Sequence, residues 1–377
     1  MLQINEQQAT ESANKIISFF DKFDRIDEYM RLKKIERLWA APPTLPGFDV
    51  DKDLFSDFSM HPNDMDFYIE DASLGKYSQY LDATSSLCNE RSIPGRGLQW
   101  LVHERNSNSV VGMIRFGSPT INSKPRNDYL GQPLNTRDMD IMKRFNDSTI
   151  MGFVIVPTQP FGFNYLGGKL LAALCCSHYA RRTLNKKYDT KYCMFETTSL
   201  YGSTKAASQY DGMRPFLRYA GLSDSKFIPI MDDETYHGLY NSFIEWNDGV
   251  HLVPNEASSK KMKRQSKMIA ITKNGLKDTN PMLYNRFCET INKATEITEQ
   301  KRTYISTYGY SNVSDYLNLK TDTLEKRENF DRFEIENVIA WWKNKASKRY
   351  ESLKADGRLR KELEIWTSQT TDLEIIR

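Results

Sequence analysis

Residues 149–169 read TIMGFVIVPTQPFGFNYLGGK, and this stretch decides the fold. Residues 149–156 form a nearly continuous apolar run, typical of a strand covered on both faces, and Pro157 ends it. The glycine-rich loop that follows leads into a helix that we predict over residues 166–184, from its single apolar stripe. Backbone N–H groups at a helix start can hold a pyrophosphate where glycines allow close approach. The candidates for such a site are Gln159, Gly162, Asn164, Gly167, Gly168 and Lys169.

The alternative for this loop is purely structural, because glycines also form turns and let a helix pack closely on a strand. Both interpretations stay open from the local pattern alone, since isolated glycine-rich loops occur by chance.

Segments on either side predict further strands. Residues 98–104 and 110–116 are β-rich runs separated by five polar residues, which indicates a hairpin. Residues 192–198 read as the next buried strand and residues 227–230 as a last one. We therefore expect an α/β protein with a mixed sheet and flanking helices.

The order of these elements resembles the second half of a GNAT acyltransferase, over residues 98–230. This resemblance predicts a GNAT-like sheet and implies that the loop binds the pyrophosphate of acetyl-CoA or a related acyl donor. The GNAT loop has Gln or Arg, two residues, Gly, one residue, then Gly or Ala, and here Gln159, Gly162 and Asn164 occupy these places. Asn164 departs from the pattern, and Pro160 removes one amide donor.

Three phrases resemble the DruA-like family of bacterial and phage proteins: GFVIVP at 152–157, FETTSLYG at 195–202 and YAGL at 219–222. One member of that family belongs to the Druantia anti-phage system, and GNAT-type proteins also occur in phage DNA-modification pathways. The resemblance implies a nucleic-acid context, most simply DNA, and protein partners in a defence or viral assembly.

Glu196 is a carboxylate inside an otherwise apolar strand. Such a group is either hydrogen-bonded in the core or faces a cleft with a raised pKa, as a general base does. In GNAT-like chemistry Tyr201 or Tyr210 supplies the phenol that protonates the departing CoA thiolate. The alternative for either tyrosine is a core or surface position.

Composition narrows the class of protein. With 377 residues, 39% of them hydrophobic, the chain has enough apolar mass for a packed core. Its net charge of +3 means that a polyanion must meet a local basic patch. The five cysteines and five histidines show no metal-ligand spacing, so we expect no metal and reduced thiols in the cytoplasm. No leader or membrane span is expected, since no apolar stretch is long enough.

The pattern predicts three regions. Residues 1–47 combine an amphipathic helix over 10–38 with a Pro-rich linker, and residues 48–245 form the GNAT-like domain. Residues 246–377 are mainly helical and locally basic, with a strong helix over 331–353.

Two basic segments point to nucleic acid: residues 260–267 (KKMKRQSK) and residues 341–350 (WWKNKASKRY). Clustered Lys and Arg release counterions from phosphates, and aromatic rings between them can stack on bases. The candidate contacts are Lys260, Lys261, Lys263, Arg264, Lys267, Trp341, Lys345, Lys348 and Arg349. The alternative is an exposed charged face around a core stripe anchored by Trp342.

Two hypotheses follow. In the first, the protein is a GNAT-like N-acyltransferase of phage or anti-phage origin that modifies a nucleic-acid base or a base-linked amine. In the second, it is a non-catalytic member of the same fold that binds nucleic acid or docks in an assembly. The departures at Asn164 and Pro160 favour the second.

Overall fold

The computed structural model describes residues 2–43, 50–86, 95–199, 208–223, 228–257, 260–297 and 302–374. Its contacts divide the chain into two compact units. Unit 1 comprises residues 1–40, 225–299 and 371–377, and unit 2 comprises residues 41–224 and 300–370. None of the helices in the described ranges is both long and apolar enough to cross a bilayer.

This division differs from the predicted boundaries near residues 47 and 245. Unit 1 has its own apolar core, in which Phe19 of the N-terminal region packs with Leu239, Met268 and Phe287. Residues distant in sequence share that core, and a local pattern does not reveal it.

The described ranges form α-helices and β-strands, which are numbered in chain order. The helices are α1 (Glu6–Phe20), α2 (Ile26–Ala40), α3 (Val50–Asp53), α4 (Leu74–Thr84), α5 (Lys124–Leu130), α6 (Met139–Ser148), α7 (Phe161–Tyr165), α8 (Gly167–Cys175), α9 (His178–Tyr188), α10 (Asp233–Glu245), α11 (Lys260–Lys277), α12 (Pro281–Glu296), α13 (Val313–Leu317) and α14 (Ile335–Ala355). The strands are β1 (Phe67–Asp71), β2 (Gly97–Glu104), β3 (Ser109–Gly117), β4 (Thr149–Pro157), β5 (Met194–Ser199), β6 (Arg218–Leu222) and β7 (Arg302–Ser306).

All seven strands form one sheet in unit 2, in the order β1-β2-β3-β4-β5-β7-β6. Neighbouring strands are antiparallel except β4 and β5, which are parallel. Apolar cores cover both faces: Trp100 and Phe195 pack with Leu171 of α8, whereas Leu101 packs with Tyr77 of α4. The predicted mixed α/β class with flanking helices is thereby confirmed.

The parallel pair β4–β5 is short. Pairing begins at Thr149 with Met194 and ends at Gly152 with Thr197, although β4 continues to Pro157. Beyond Gly152 the described residues of the two strands form no further pairs, and the glycine-rich loop starts where β4 ends. The predicted hairpin and the strands over 149–156 and 192–198 correspond to β2, β3, β4 and β5.

Other sequence expectations were wrong. Residues 228–230 are not in a strand, and Phe227 lies outside the described residues. Strand β7 falls within the region expected to be helical, and it joins the sheet between β5 and β6.

Two of the predicted helices are interrupted. The helix expected over 10–38 is two helices, because the Glu28 carboxylate accepts hydrogen bonds from the backbone N–H groups of Asp24 and Arg25 and starts α2 afresh. The helix expected over 166–184 ends at Cys175, and Ser177 caps α9 by accepting from Ala180 N at 3.2 Å.

Candidate functional site

Backbone amides of the glycine-rich loop donate hydrogen bonds to acceptors within the loop itself. Gly162 N donates to Thr158 O at 2.8 Å, Asn164 N to Pro160 O at 2.9 Å, and Phe163 N to the Gln159 side-chain oxygen at 3.1 Å. These bonds form the short helix α7. Three of the amides in the predicted phosphate loop therefore already have protein acceptors, which does not fit a pyrophosphate cradle at residues 162–164.

The glycines of the loop are required by close packing. A Cβ at Gly167 would lie 2.7 Å from the Phe161 ring and 2.8 Å from Pro157, and one at Gly168 would lie 2.5 Å from the Gln209 side chain. Gly162 is similarly crowded by Gln159. Distances this short exclude a methyl group unless a neighbour shifts. The structural alternative for these glycines therefore accounts for them without a ligand.

A C-terminal segment, residues 360–366, lies along the loop. The Asn164 side chain donates to Arg360 O at 2.7 Å and accepts from Arg360 N at 3.1 Å. Glu364 N donates to Gln159 O at 3.1 Å. Asn164, which departs from the GNAT loop pattern, thus holds this C-terminal segment.

Two guanidinium groups lie over the Phe163 ring. The Arg360 guanidinium carbon is 3.9 Å from the ring centroid and that of Arg349 is 4.8 Å away. Arg349 Nε also donates to Phe163 O at 3.4 Å. Partial burial lowers the pKa of Arg349, and the neighbouring charges of Arg358 and Arg360 lower it further. Arg349 and Arg360 thus share the Phe163 ring, and the charge of Arg358 also acts on Arg349.

Lys169 joins the same group of charges. Its ammonium donates to the backbone carbonyls of Gln209, at 2.9 Å, and Asp211. Burial lowers the pKa of Lys169, the nearby charge of Lys345 lowers it again, and Asp211 opposes the shift. The predicted loop lysine and the predicted basic helix α14 are thus brought together.

We call Lys169, Lys345, Arg349, Arg358 and Arg360 the cationic cluster. Among the described residues, carboxylates form ion pairs with two of its members: Asp356 lies 3.6 Å from Arg358 and Glu364 lies 3.8 Å from Arg360. In the described ranges no carboxylate lies within 4.0 Å of the charged nitrogens of the other three. The cluster therefore keeps an excess of positive charge.

The other candidates on α14 lie beside the cluster. Lys348 is exposed. Trp341 is half-buried, with the Phe216 ring edge-on at 5.1 Å and the Lys345 ammonium 5.4 Å from its own centroid. Trp342 is fully buried, and its indole N–H donates to Tyr165 O at 2.9 Å, as expected for a core position.

The other predicted nucleic-acid segment, residues 260–267, lies on α11 in unit 1. Lys261 pairs with Asp233, and Lys260 and Lys267 donate to the carbonyls of Asn255 and Leu252. Arg264 donates to the Asn255 side chain at 2.7 Å and lies over Tyr240. Lys263 is exposed. Most of these cationic groups are thus directed at neighbouring protein atoms.

Glu196 is buried and bound to a buried arginine. Arg126 Nη1 lies 3.2 and 3.3 Å from the two Glu196 carboxylate oxygens and donates to Thr120 O at 2.8 Å. Its other terminal nitrogen donates to Ile121 O. Burial raises the pKa of Glu196, and the Arg126 charge opposes the shift. The structure places Glu196 in the core-paired arrangement that the sequence left open.

The candidate acids are not brought to Glu196. Tyr210 is buried, burial raises its pKa, and its hydroxyl interacts with the Thr197 side chain. Successive strand residues point to opposite faces, so Glu196 and Tyr210 lie on opposite faces of β5. Tyr201 lies outside the described residues.

Sequence reasoning missed Arg126, Arg358 and Arg360. The sequence did contain a signal for Arg358 and Arg360: residues 341–361 include eight Lys and Arg but only two acidic residues. Arg126 gave no signal, since its partner is distant in sequence. In the described ranges no group of three or more His, Cys, Asp or Glu side chains is arranged to hold a metal ion.

The fold and the site define a mixed α/β protein with a cationic surface beside a glycine-rich loop. Residues 79–209 match the family described as Druantia protein DruA, over 131 of the 377 residues. The chain is DruA-like over this region, which contains the phrases at 152–157 and 195–202 but not YAGL at 219–222. The matched region runs from α4 to the segment after β5 and includes the glycine-rich loop and Glu196. No curated protein and no solved structure shows significant similarity to the chain.

Proposed function

We propose that the protein is a nucleic-acid-binding subunit in an anti-phage defence context, and that the cationic cluster is its contact surface. The match to the Druantia protein DruA family supports the defence context. The observation that carries the binding role is the convergence of cations from the loop, from α14 and from residues 358–360 on one surface.

Phosphate binding by such a surface has a simple physical basis. Like charges that repel one another in the free protein gain when phosphates come between them, and counterions leave the nucleic acid. Lys169, Lys345 and Arg349 are half-buried, so their positions are already fixed by packing. Fixed side chains lose less conformational entropy on binding than free ones.

The experiment measures binding of fluorescently labelled DNA and RNA to the full chain by anisotropy. We expect Arg349→Ala and Lys345→Ala each to weaken binding about three- to tenfold at low salt, since each removes one phosphate contact. Lys143→Ala is the matched control. Lys143 is 77% exposed on α6, and its replacement also removes one positive charge. Absence of binding, or equal weakening by the control, would contradict the proposal.

The second candidate function is acyl-CoA-dependent transfer to a nucleic-acid amine. The end of the β4–β5 pairing at Gly152 and Thr197 favours it, because a GNAT-like donor slot lies between two such strands. A bound donor would supply the acyl thioester. The loop amides at 162–164 do not fit its pyrophosphate, and Glu196 is committed to Arg126.

Thermal unfolding with and without acetyl-CoA tests this second function. A ligand that binds only the folded chain raises the unfolding midpoint, and the rise grows with the ratio of ligand concentration to dissociation constant. A rise that desulfo-CoA reproduces and adenosine does not would support a donor site. An unchanged midpoint at millimolar acetyl-CoA would reject it and leave the binding function untouched.

A further inference from the structure

The cations of the cluster come from elements that pack together. Lys345 and Arg349 are four residues apart on α14, and the helical rise separates them by about 6 Å along the axis. Helix α8, which carries Lys169, packs against α14, and the guanidiniums of Arg349 and Arg360 lie over the same Phe163 ring. Cations grouped in this way present charge at several neighbouring points, as a chain of phosphates requires.

The aromatic rings within this surface are already covered by protein groups. Two guanidiniums lie over Phe163, and Trp341 has Phe216 against it and the Lys345 ammonium over it. Base stacking needs an accessible ring face. The rings therefore position the cations and are poor platforms for bases.

Two amide side chains of the glycine-rich loop are also committed to protein partners. Asn164 binds both backbone groups of Arg360, and the Gln159 oxygen accepts from Phe163 N. Asn and Gln are the side chains that read adenine through paired hydrogen bonds. Arg349 uses its Nε on Phe163 O, and among the residues that the structure describes no acceptor is bound to its terminal N–H groups, which can therefore face an anion.

From these three observations we infer that the cationic cluster binds the sugar–phosphate backbone and does not read bases. This inference rests on the proposed nucleic-acid function and specifies its substrate class. Binding through the backbone alone is independent of sequence and falls steeply with salt, whereas base readout depends on the sequence and less on salt.

The test measures affinity of the full chain for four duplexes of unrelated sequence between 50 and 300 mM salt. We expect affinities within about threefold of one another, and a slope of log affinity against log salt of about −3 to −5, since each duplex phosphate contact contributes about −0.9. Arg349→Ala should reduce the magnitude of that slope by about one for every duplex.

Arg349→Lys separates the two modes of contact. A lysine keeps the positive charge for a phosphate but loses the fork that reads guanine, so backbone binding should keep its affinity within about threefold. A loss of tenfold or more that is confined to one duplex would overturn the inference while leaving nucleic-acid binding intact. Failure to bind any duplex would instead overturn the proposed function, and matching melting curves would show that each variant is folded.

Discussion

The side chain of Asn164 binds both backbone groups of Arg360, donating to its carbonyl at 2.7 Å and accepting from its N–H at 3.1 Å. A side-chain amide paired in this way imitates the pairing of two strands. The glycine-rich loop and the C-terminal segment are thereby joined at one point. Arg360 then reaches the Phe163 ring, so the same contact that fixes the segment also positions part of the cationic cluster.

Asn164→Ala should release residues 360–366 from the loop. The variant loses two hydrogen bonds, which together contribute about 1–3 kcal/mol. Hydrogen exchange should therefore accelerate about tenfold or more at the amides of Arg360 and Glu364, while strand β5 stays protected.

Asn337→Ala is the matched control for that variant, because Asn337 donates one bond to Asp331 O at 2.8 Å on the exposed side of α14. We expect it to leave exchange at residues 360–366 unchanged. Equal protection of Arg360 in the wild type and in Asn164→Ala would show that Leu363 and its apolar neighbours hold the segment without Asn164.

Glu196→Gln should destabilise unit 2. It leaves the Arg126 guanidinium, which is fully buried, without its carboxylate, and such a loss typically costs about 3–5 kcal/mol. The double variant Arg126→Met with Glu196→Leu should lose less free energy of unfolding than Glu196→Gln alone, since no buried charge remains.

The free energy of unfolding from urea titrations checks this comparison. DNA binding by the folded single variant should equal that of the wild type, because the pair lies away from the cationic cluster in sequence and shares no described contact with it. If Glu196→Gln is as stable as the wild type but lacks acyl-transfer activity, Glu196 would act as a general base.

The strands that the sequence predicted share one property: each is a strongly apolar or β-rich run with a clear end. Strand β4 ends at Pro157, and the polar residues 105–108 separate β2 from β3. Strand β1 lies at the sheet edge and only Phe67 in it is buried, so its pattern FYIED carries no strong alternation.

Strand β7 shows a different limit. Its residues RTYIS are well suited to a strand, but they follow the helices α10, α11 and α12. The sheet places β7 between β5 and β6, although most of unit 1 separates β6 from β7 in the sequence. Pairing across so long a segment has no local signal in the sequence.

The candidate site was predicted as two separate features. Lys169 was expected to bind a cofactor and Lys345 and Arg349 to bind nucleic acid, and the structure packs α8, which carries Lys169, against α14, which carries the other two. Composition and periodicity identify cations but not which of them meet. Glu196 illustrates the same limit, since its partner Arg126 lies on α5, about 70 residues away in the sequence.

His178 should make unit 2 less stable in acid. Arg181 Nε donates to His178 Nδ1, so the neutral ring carries its proton on Nε2 and donates to Phe330 O at 3.0 Å. Burial and the charges of Arg181 and Arg182 lower the pKa of His178 to about 4, against the opposing charge of Glu334.

The sign follows from proton binding. Between pH 6.5 and 4 the unfolded chain takes up the His178 proton and the folded chain does not, so stability that is present above pH 6.5 falls as the pH is lowered. The loss from this group is about 2–3 kcal/mol by pH 4.5. His178→Gln keeps a donor for Phe330 O and removes the titration. Urea titrations at pH 7 and pH 4.5 should show a smaller acid loss in the variant; an identical loss would mean that carboxylates such as Glu334 control it.

Gly112 of β3 determines how closely α8 approaches the sheet. A Cβ there would lie 2.5 Å from Leu171 Cδ1 and 3.0 Å from Val156 O, and the second atom is backbone of β4 and cannot move aside. Gly112→Ala should therefore destabilise unit 2 by about 1–3 kcal/mol.

Gly75→Ala is the matched control, since nothing lies within 4 Å of its Cβ position in α4 and a helical alanine gains about 0.5–1 kcal/mol over glycine. The two variants should shift the melting midpoint in opposite directions, by about 2–4 °C per kcal/mol. Because α8 begins at Gly167 and carries Lys169, a displaced α8 should also move Lys169 away from Lys345 and weaken DNA binding. A Gly112→Ala protein with the wild-type midpoint and affinity would show that the position of α8 is set by α14 and not by its contact with β3.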